Sequence, residues 1–191
     1  LVTGAGDDSI VGGDTLETGD DSIVAGAGND IIFGRGGRDT ILGDAGNDYI
    51  APGLKGTGDS LIGGEGNDSF VFFTANTSTN LSVIVDFDAT DDRILLSDAG
   101  FNLANSKAGQ VIRNADFLAI DSGKNYANNA NSNNPTIIYE IKPLETPGDS
   151  NSGAKSGILK YDPDGNRSGD AITIARLNGN PDINTSDIFI I

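Results

Sequence analysis

Three stretches decide how this chain is read: GAGNDIIF (26–33), GDAGNDYIA (43–51) and GGEGNDSFV (63–71). Each sets a glycine two places before an aspartate and a large apolar residue two places after it. Working outward, the same frame recurs over seven aspartates: Asp8, Asp21, Asp30, Asp39, Asp48, Asp59 and Asp68. Their apolar followers are Ile10, Ile23, Ile32, Ile41, Ile50, Leu61 and Phe70. Successive spacings are 13, 9, 9, 9, 11 and 9 residues, so the unit is nine residues long with two insertions. Asp-Gly and Asn-Gly clusters alone mark turns. A glycine-rich linker, however, has no reason to keep an apolar residue in phase with them.

In frame, these residues give the pattern G-G-x-G-x-D-x-U-x. They resemble the RTX, or hemolysin-type, calcium-binding nonapeptide repeat. The resemblance implies an all-β protein: a parallel β-roll, a right-handed calcium-binding β-solenoid, in which six residues turn, three run straight, and two units make one coil. Glycines tolerate left-handed backbone and leave no side chain in the way. Carbonyls near Gly6, Gly26, Gly28, Gly37, Gly46 and Gly66 could then join the seven aspartates in an oxygen cage. Calcium takes six to eight such oxygens. Stacking places every second repeat on one side, pairing Asp8–Asp30–Asp48–Asp68 along a first edge and Asp21–Asp39–Asp59 along a second. That geometry predicts about five inter-turn ions. Both irregular repeats, with extra residues at Thr15–Thr18 and Pro52–Lys55, fall on the second edge, so the first should hold the better-formed sites. Asp59 is the weakest candidate, because its glycine frame slips to GTGD (56–59).

Composition agrees with metal loading. Among 191 residues there are 12 basic and 28 acidic ones, a formal net charge of −16. Such a surface argues against nucleic-acid binding, and calcium would offset much of the charge. Without metal, close-set carboxylates repel while the apolar content stays at 37%, so folding should be coupled to binding. There is no cysteine to staple the chain and no histidine. The usual zinc ligand, the usual general base and any H-E-x-x-H motif are therefore missing. The chain reads as non-catalytic, with any catalytic domain upstream. No stretch approaches the roughly 20 apolar residues of a membrane span.

The organisation expected is a roll over 1–72 and a C-terminal, antiparallel, β-rich capping and secretion region over 73–191. FVFFTANTSTNLSVIVDFDATDDRILLS (70–97) reads as a strand, a polar loop, a strand at Val83–Phe87, a tight turn and a strand at Arg93–Leu96. It resembles the segment after the roll in serralysin-type and related type I-secreted proteins. Asp86 and Asp88, with Asp91 and Asp92, could make a further calcium site, although hairpin turn residues explain them as well. Residues 125–135 (NYANNANSNNP) and 142–157 read as low-hydrophobicity loops. Strand-like runs follow at Thr136–Ile141, Gly157–Tyr161, Ala171–Leu177 and Asp187–Ile191.

DPDGNRSGD (162–170) alternates oxygen ligands: Asp162, Asp164, Asn166, Ser168 and Asp170. An EF-hand loop needs glycine at its sixth place and glutamate at its twelfth. Here those features are Gly165 at the fourth place and Thr173 at the twelfth. A hairpin turn at Asp162–Gly165 is the preferred reading. The closing Asp187-Ile-Phe-Ile-Ile191 resembles the terminal motif of type I secretion substrates; the plainer reading is an edge strand.

The ninth position of each repeat (Val11, Val24, Phe33, Leu42, Ala51, Ile62, Val71) is apolar. In a three-residue strand it should face outward. This predicts an apolar stripe on each outer face, one covered by the C-terminal strands and the other by an upstream portion or a second copy. The resemblance as a whole implies a module at the C-terminus of a larger bacterial exoprotein, secreted or on the cell surface. Its partners would be calcium, the type I secretion machinery and the upstream domain. A calcium-dependent polysaccharide- or cell-surface-binding module is the alternative.

Overall fold

The computed structural model describes residues 1–13, 19–53, 58–74, 81–103, 107–113, 116–121, 135–143, 155–164, 171–179 and 181–191. Outside them lie residues 14–18 and 54–57, which take in the first insertion and part of the second, most of the Asn-rich stretch, residues 144–154, and Gly165, Asn166, Ser168 and Asp170.

The repeats make seven short strands: β1 (Ser9–Val11), β2 (Ser22–Ala27), β3 (Ile31–Phe33), β4 (Thr40–Ala45), β5 (Tyr49–Ala51), β6 (Ser60–Glu65) and β7 (Ser69–Phe72). They alternate between two sheets. The odd strands pair in parallel as β1-β3-β5-β7, and the even ones as β2-β4-β6. This is the parallel β-roll. Register is set by the apolar residue two after each aspartate: Ile10, Ile32, Ile50 and Phe70 align in one sheet, and Ile23, Ile41 and Leu61 in the other. All seven are buried in the interior. With side chains alternating along a strand, a slip of one residue would turn every one of them out to solvent.

The coils lie so close that the turn glycines face the backbone of the coil before. Gly46 has φ +142°, and a methyl group there would stand 1.8 Å from the Gly28 carbonyl oxygen. Arg35 and Asp44 take φ +74° and +75° where Gly26 and Gly64 occupy the matching place. A left-handed non-glycine residue costs about 1 kcal/mol or more, so the stacking imposes the turn even where glycine is missing.

The segment after the repeats corrects the expected hairpin. The strands β8 (Ser82–Ile84) and β9 (Arg93–Leu96) do not pair with each other. β8 runs parallel to β6, and β9 parallel to β7, so residues 82–96 form one more coil. The reason is the same alternation: Ile84 aligns with Leu61, and Ile94 with Phe70, both fully buried. Phe87 closes the end of the interior against the Phe70 ring, 6.0 Å between centroids.

Beyond this coil come α1 (Asp98–Phe101), β10 (Gln110–Val111), β11 (Phe117–Asp121), β12 (Thr136–Pro143), β13 (Lys155–Asp162), β14 (Ile172–Asn178) and β15 (Ile188–Ile190). These strands lengthen both sheets, as β7-β9-β15-β10 and as β6-β8-β14-β13-β12-β11. β12, β13 and β14 are antiparallel, as expected of a C-terminal region, whereas β14 joins β8 in parallel and β11 joins β12 in parallel. Tyr139, Phe101 and Tyr161 fill this end of the core. Tyr139 lies over Gly157 and donates its hydroxyl proton to the Pro181 carbonyl oxygen at 2.8 Å. The helix α1 is one turn, and among the described residues no helix is long and apolar enough to cross a membrane.

Two further expectations change. The described C-terminal strands extend the two sheets edgewise. The outer stripe is graded: Val11 is 43% exposed, while Ala51 and Val71 on the same sheet are buried. Finally, β15 is no edge strand, because it sits between β9 and β10 with Ile188 and Ile190 fully buried.

Candidate metal centre

The repeat frame brings Asp8, Asp30, Asp48 and Asp68 to one edge, each just ahead of a strand of the first sheet. Asp21, Asp39 and Asp59 stand likewise on the other edge, ahead of strands of the second. Along the first edge, each carboxylate accepts the backbone N–H of the aspartate one coil earlier. Asp8 N–H donates to Asp30 Oδ1 at 2.7 Å, Asp30 N–H to Asp48 Oδ1 at 2.8 Å, and Asp48 N–H to Asp68 Oδ1 at 2.9 Å. Along the second, Asp21 N–H donates to Asp39 Oδ1 at 2.9 Å, and Asp39 N–H to Asp59 Oδ1 at 3.0 Å. The two predicted rows are thus assembled.

These bonds use one oxygen of each carboxylate. The other, Oδ2, is buried without a hydrogen-bond partner in Asp30, Asp39, Asp48 and Asp68. A buried polar atom left unpaired costs about 1–3 kcal/mol, more when charged, and native proteins rarely leave one. Four in register form a pattern. Asp39 Oδ2 and Asp48 Oδ2, and likewise Asp21 Oδ2, share their space with a carbonyl of the next coil, over a glycine. A methyl on Gly43 would stand 2.2 Å from Asp48 Oδ2 and 2.6 Å from the Gly63 carbonyl oxygen. On Gly34 it would stand 2.6 Å from both Asp39 Oδ2 and the Pro52 carbonyl oxygen. On Gly12 the distances are 3.1 Å to Asp21 Oδ2 and 2.8 Å to the Gly34 carbonyl oxygen.

Carboxylate and carbonyl oxygens converging between coils are the donor set of a hard divalent cation such as calcium. Among the described residues no three acidic side chains converge on one point. A cation here would therefore draw on carbonyls as much as on carboxylates.

The electrostatics agree. Burial, reinforced by Asp59 and Asp21 and countered by the Asp21 N–H, pushes the Asp39 carboxyl up to about 6. Burial, with Asp92, Asp48 and Asp86 nearby, also raises Asp68 to about 6. Asp48 and Asp92 move the same way, again chiefly through burial. A bound cation would supply the missing counter-charge.

Sequence reading missed three features. The carbonyls that face an aspartate Oδ2 belong to Gly34 (beside Asp21), Pro52 (beside Asp39) and Gly63 (beside Asp48). Those of Gly6, Gly28 and Gly46 instead press on the glycines of the next coil. The signal was a glycine five residues before the aspartate, at Gly34, Gly43 and Gly63. A second, exposed ladder runs through the residue preceding each aspartate: Asn29 N–H donates to Asp7 Oδ1 at 2.7 Å, Asn47 N–H to Asn29 Oδ1 at 2.9 Å, and Asn67 N–H to Asn47 Oδ1 at 2.8 Å. Lastly, Asp92 continues the first edge, its Oδ1 accepting the Asp68 N–H at 2.9 Å.

The remaining described candidates are not members of the two carboxylate ladders. Asp86 accepts the N–H groups of Gly63 and Gly64, both at 3.0 Å. Asp88 is exposed and bound to its own turn through Thr90 N–H and Oγ1, which lowers its carboxyl below the usual range. Asp162 ends β13 and accepts the Asp164 N–H at 3.3 Å, so both belong to the β13–β14 hairpin and to neither ladder. Asn166 and Asp170 lie outside the described residues.

The RTX calcium-binding nonapeptide repeat, in four copies, matches residues 1–15, 17–50 and 56–71. The coiled first part of the chain is therefore made of RTX calcium-binding repeats. Among solved structures, the chain is similar to the AlgE6R3 subunit of the Azotobacter vinelandii mannuronan C5-epimerase, seen in solution. The two are 21% identical over 97% of this chain and 80% of that one, with a TM-score of 0.41, too loose a likeness to speak for function. No curated protein matches the chain in sequence.

Proposed function

We propose that this chain is a non-catalytic calcium-responsive module of a type I-secreted bacterial exoprotein, unfolded at low cytosolic calcium and ordered once outside the cell. The observation that carries the proposal is the row of buried Oδ2 atoms on Asp30, Asp39, Asp48 and Asp68 with no partner in the protein. The calcium sites lie in the steps Asp8–Asp30, Asp30–Asp48, Asp48–Asp68, Asp21–Asp39 and Asp39–Asp59, about five ions in all. Carbonyls of Gly34, Pro52 and Gly63 complete steps on both edges. The carboxylates repel in the absence of metal, and ligand binding stabilises only the folded chain, by mass action.

A calcium titration followed by far-ultraviolet circular dichroism, with magnesium as control, tests this. A cooperative gain of β signal with calcium alone, reversed by chelator, is expected. A chain fully folded in chelator and indifferent to calcium would refute it.

A second reading, attachment to a polysaccharide or cell surface, draws on the outer face of the first sheet. There the Phe33 and Tyr49 rings meet at 6.1 Å beside exposed Ile31. Binding on a glycan array in calcium, lost in Tyr49→Ser, would favour it.

A further inference from the structure

The two edges of the roll end differently, although both are capped by the coil of residues 82–96. On the second edge the place of the next aspartate is taken by Ser82, one residue before Val83, which aligns with Ser60. Ser82 is buried, and its Oγ donates to Asp59 Oδ2 at 2.9 Å. The oxygen left open in Asp39 is thus closed in Asp59 by a hydroxyl. On the first edge the next place holds Asp92. Its Oδ1 takes the ladder bond from Asp68 N–H, and its Oδ2 accepts the Asp88 N–H at 2.9 Å. Nothing of this coil closes Asp68 Oδ2, which stays unpaired although Asp68 is only 1% exposed.

That oxygen points at Gly63, where a methyl would stand 2.1 Å from it. Gly63 is also the residue whose N–H Asp86 accepts. Carboxylates from two different coils therefore approach one glycine, Asp68 Oδ2 over its Cα and Asp86 at its N–H. Carried on from the β4–β6 and β6–β8 registers, Asp86 stands one coil beyond Gly63, as Gly63 stands one coil beyond Gly43.

We propose that the first edge carries one calcium site more than the repeats define, between Asp68 and Asp86, joining the roll to its C-terminal coil. It lies past the end of the matched repeats at residue 71. Asp92 acts as a positioning residue that holds Asp68 through its amide, and Asp88 is not a ligand. The second edge has no counterpart, because Ser82 fills it. This site rests on the calcium reading above and adds to it.

Native mass spectrometry of the whole chain at saturating calcium tests it by counting ions. About six are expected in the unaltered chain if each step holds one. Asp86→Asn should lose one ion while keeping its β signal, and Asp88→Asn should lose none. An Asp86→Asn chain that folds and keeps the full count overturns the proposal. Should Asp86→Asn not reach the full β signal, the unaltered chain decides: about six ions support the extra site, and five or fewer overturn it. A chain that binds no calcium defeats the function proposed above, a result distinct from either of these.

Discussion

On the first edge, the residues preceding the ladder aspartates are Asp7, Asn29, Asn47 and Asn67, and the side-chain oxygens of the first three accept the next coil's amide. On the second edge the same place holds Asp20, Arg38 and Gly58. Asp20 accepts the Arg38 N–H at 2.8 Å, but a guanidinium has no acceptor to offer the coil after it. One nine-residue unit thus builds two spines on the first edge, and on the second one spine with a fragment of another. The two edges share their strands, their inward isoleucines and their aspartates. What separates them is whether the exposed position can accept a hydrogen bond.

The largest expected difference concerns space. Gly43→Ala on the first edge forces a methyl between Asp48 Oδ2 and the Gly63 carbonyl, at 2.2 and 2.6 Å. Backbone must then move in two coils, and about 4 kcal/mol or more of calcium-loaded stability should be lost. Gly12→Ala meets its nearest oxygens at 2.8 and 3.1 Å and should cost less than half as much. Thermal unfolding in excess calcium measures both, and equal losses would show that the closeness of these oxygens does not set the cost.

Next comes charge. Asp48 Oδ2 has no partner in the protein, whereas Asp59 Oδ2 already holds the Ser82 hydroxyl. Asp48→Asn should raise the calcium midpoint of folding about tenfold or more, equivalent to 1.4 kcal/mol. Asp59→Asn should raise it by only a few-fold. Equal shifts would mean that Ser82 does not replace a cation.

These contrasts bear on what the sequence discloses. The isoleucine column and the two aspartate rows were legible because both depend on a period shorter than a coil, read directly from the spacing. The coil of residues 82–96 was not, because Ser82 stands where the frame calls for aspartate and Asp92 lies far beyond Asp68. Only the inward burial of Ile84 and Ile94 reveals it. The apolar runs of β12, β13, β14 and β15 were visible, but their partners were not. Parallel pairing of β15 with β9 joins residues far apart in the chain, and no local pattern records it. β11 is apolar (FLAID) but short, and the residues around it are weakly patterned, so it did not stand out. Carbonyls were placed at other residues than Pro52 and Gly63, which face the unpaired oxygens, because carbonyls carry no letter in a sequence.

Burial acts on both edges alike, so acid should blur the comparison. Asp39 on one edge and Asp68 on the other rise from 3.8 to about 6 in the metal-free fold. A carboxyl raised on folding favours the folded state when protonated. That contribution is full below about pH 4 and fades as pH rises through about 6. In chelator, β signal should therefore increase as pH falls from 7 to 4. Calcium binding should weaken over the same range, because its ligands must be deprotonated. A chelated chain with the same signal at both pH values would show that these carboxyls are not buried without metal.

The smallest effect tests the edges' difference at its source. Arg38→Asn removes an exposed ion pair with Asp20, 3.7 Å long and worth about 0–1 kcal/mol. It leaves the Asp20 bond to the backbone N–H in place and puts an amide oxygen where the next coil brings Gly58. One ladder hydrogen bond is worth about 0.5–1.5 kcal/mol, so in chelator the gain and the loss should nearly cancel. Removing a positive charge next to Asp39 acts only on the loaded state, drawing the second edge's calcium in by a few-fold. The calcium midpoint should thus fall while the chelated chain is unchanged. If both stay fixed, Arg38 is a bystander, and the second edge is weakened by its insertions instead.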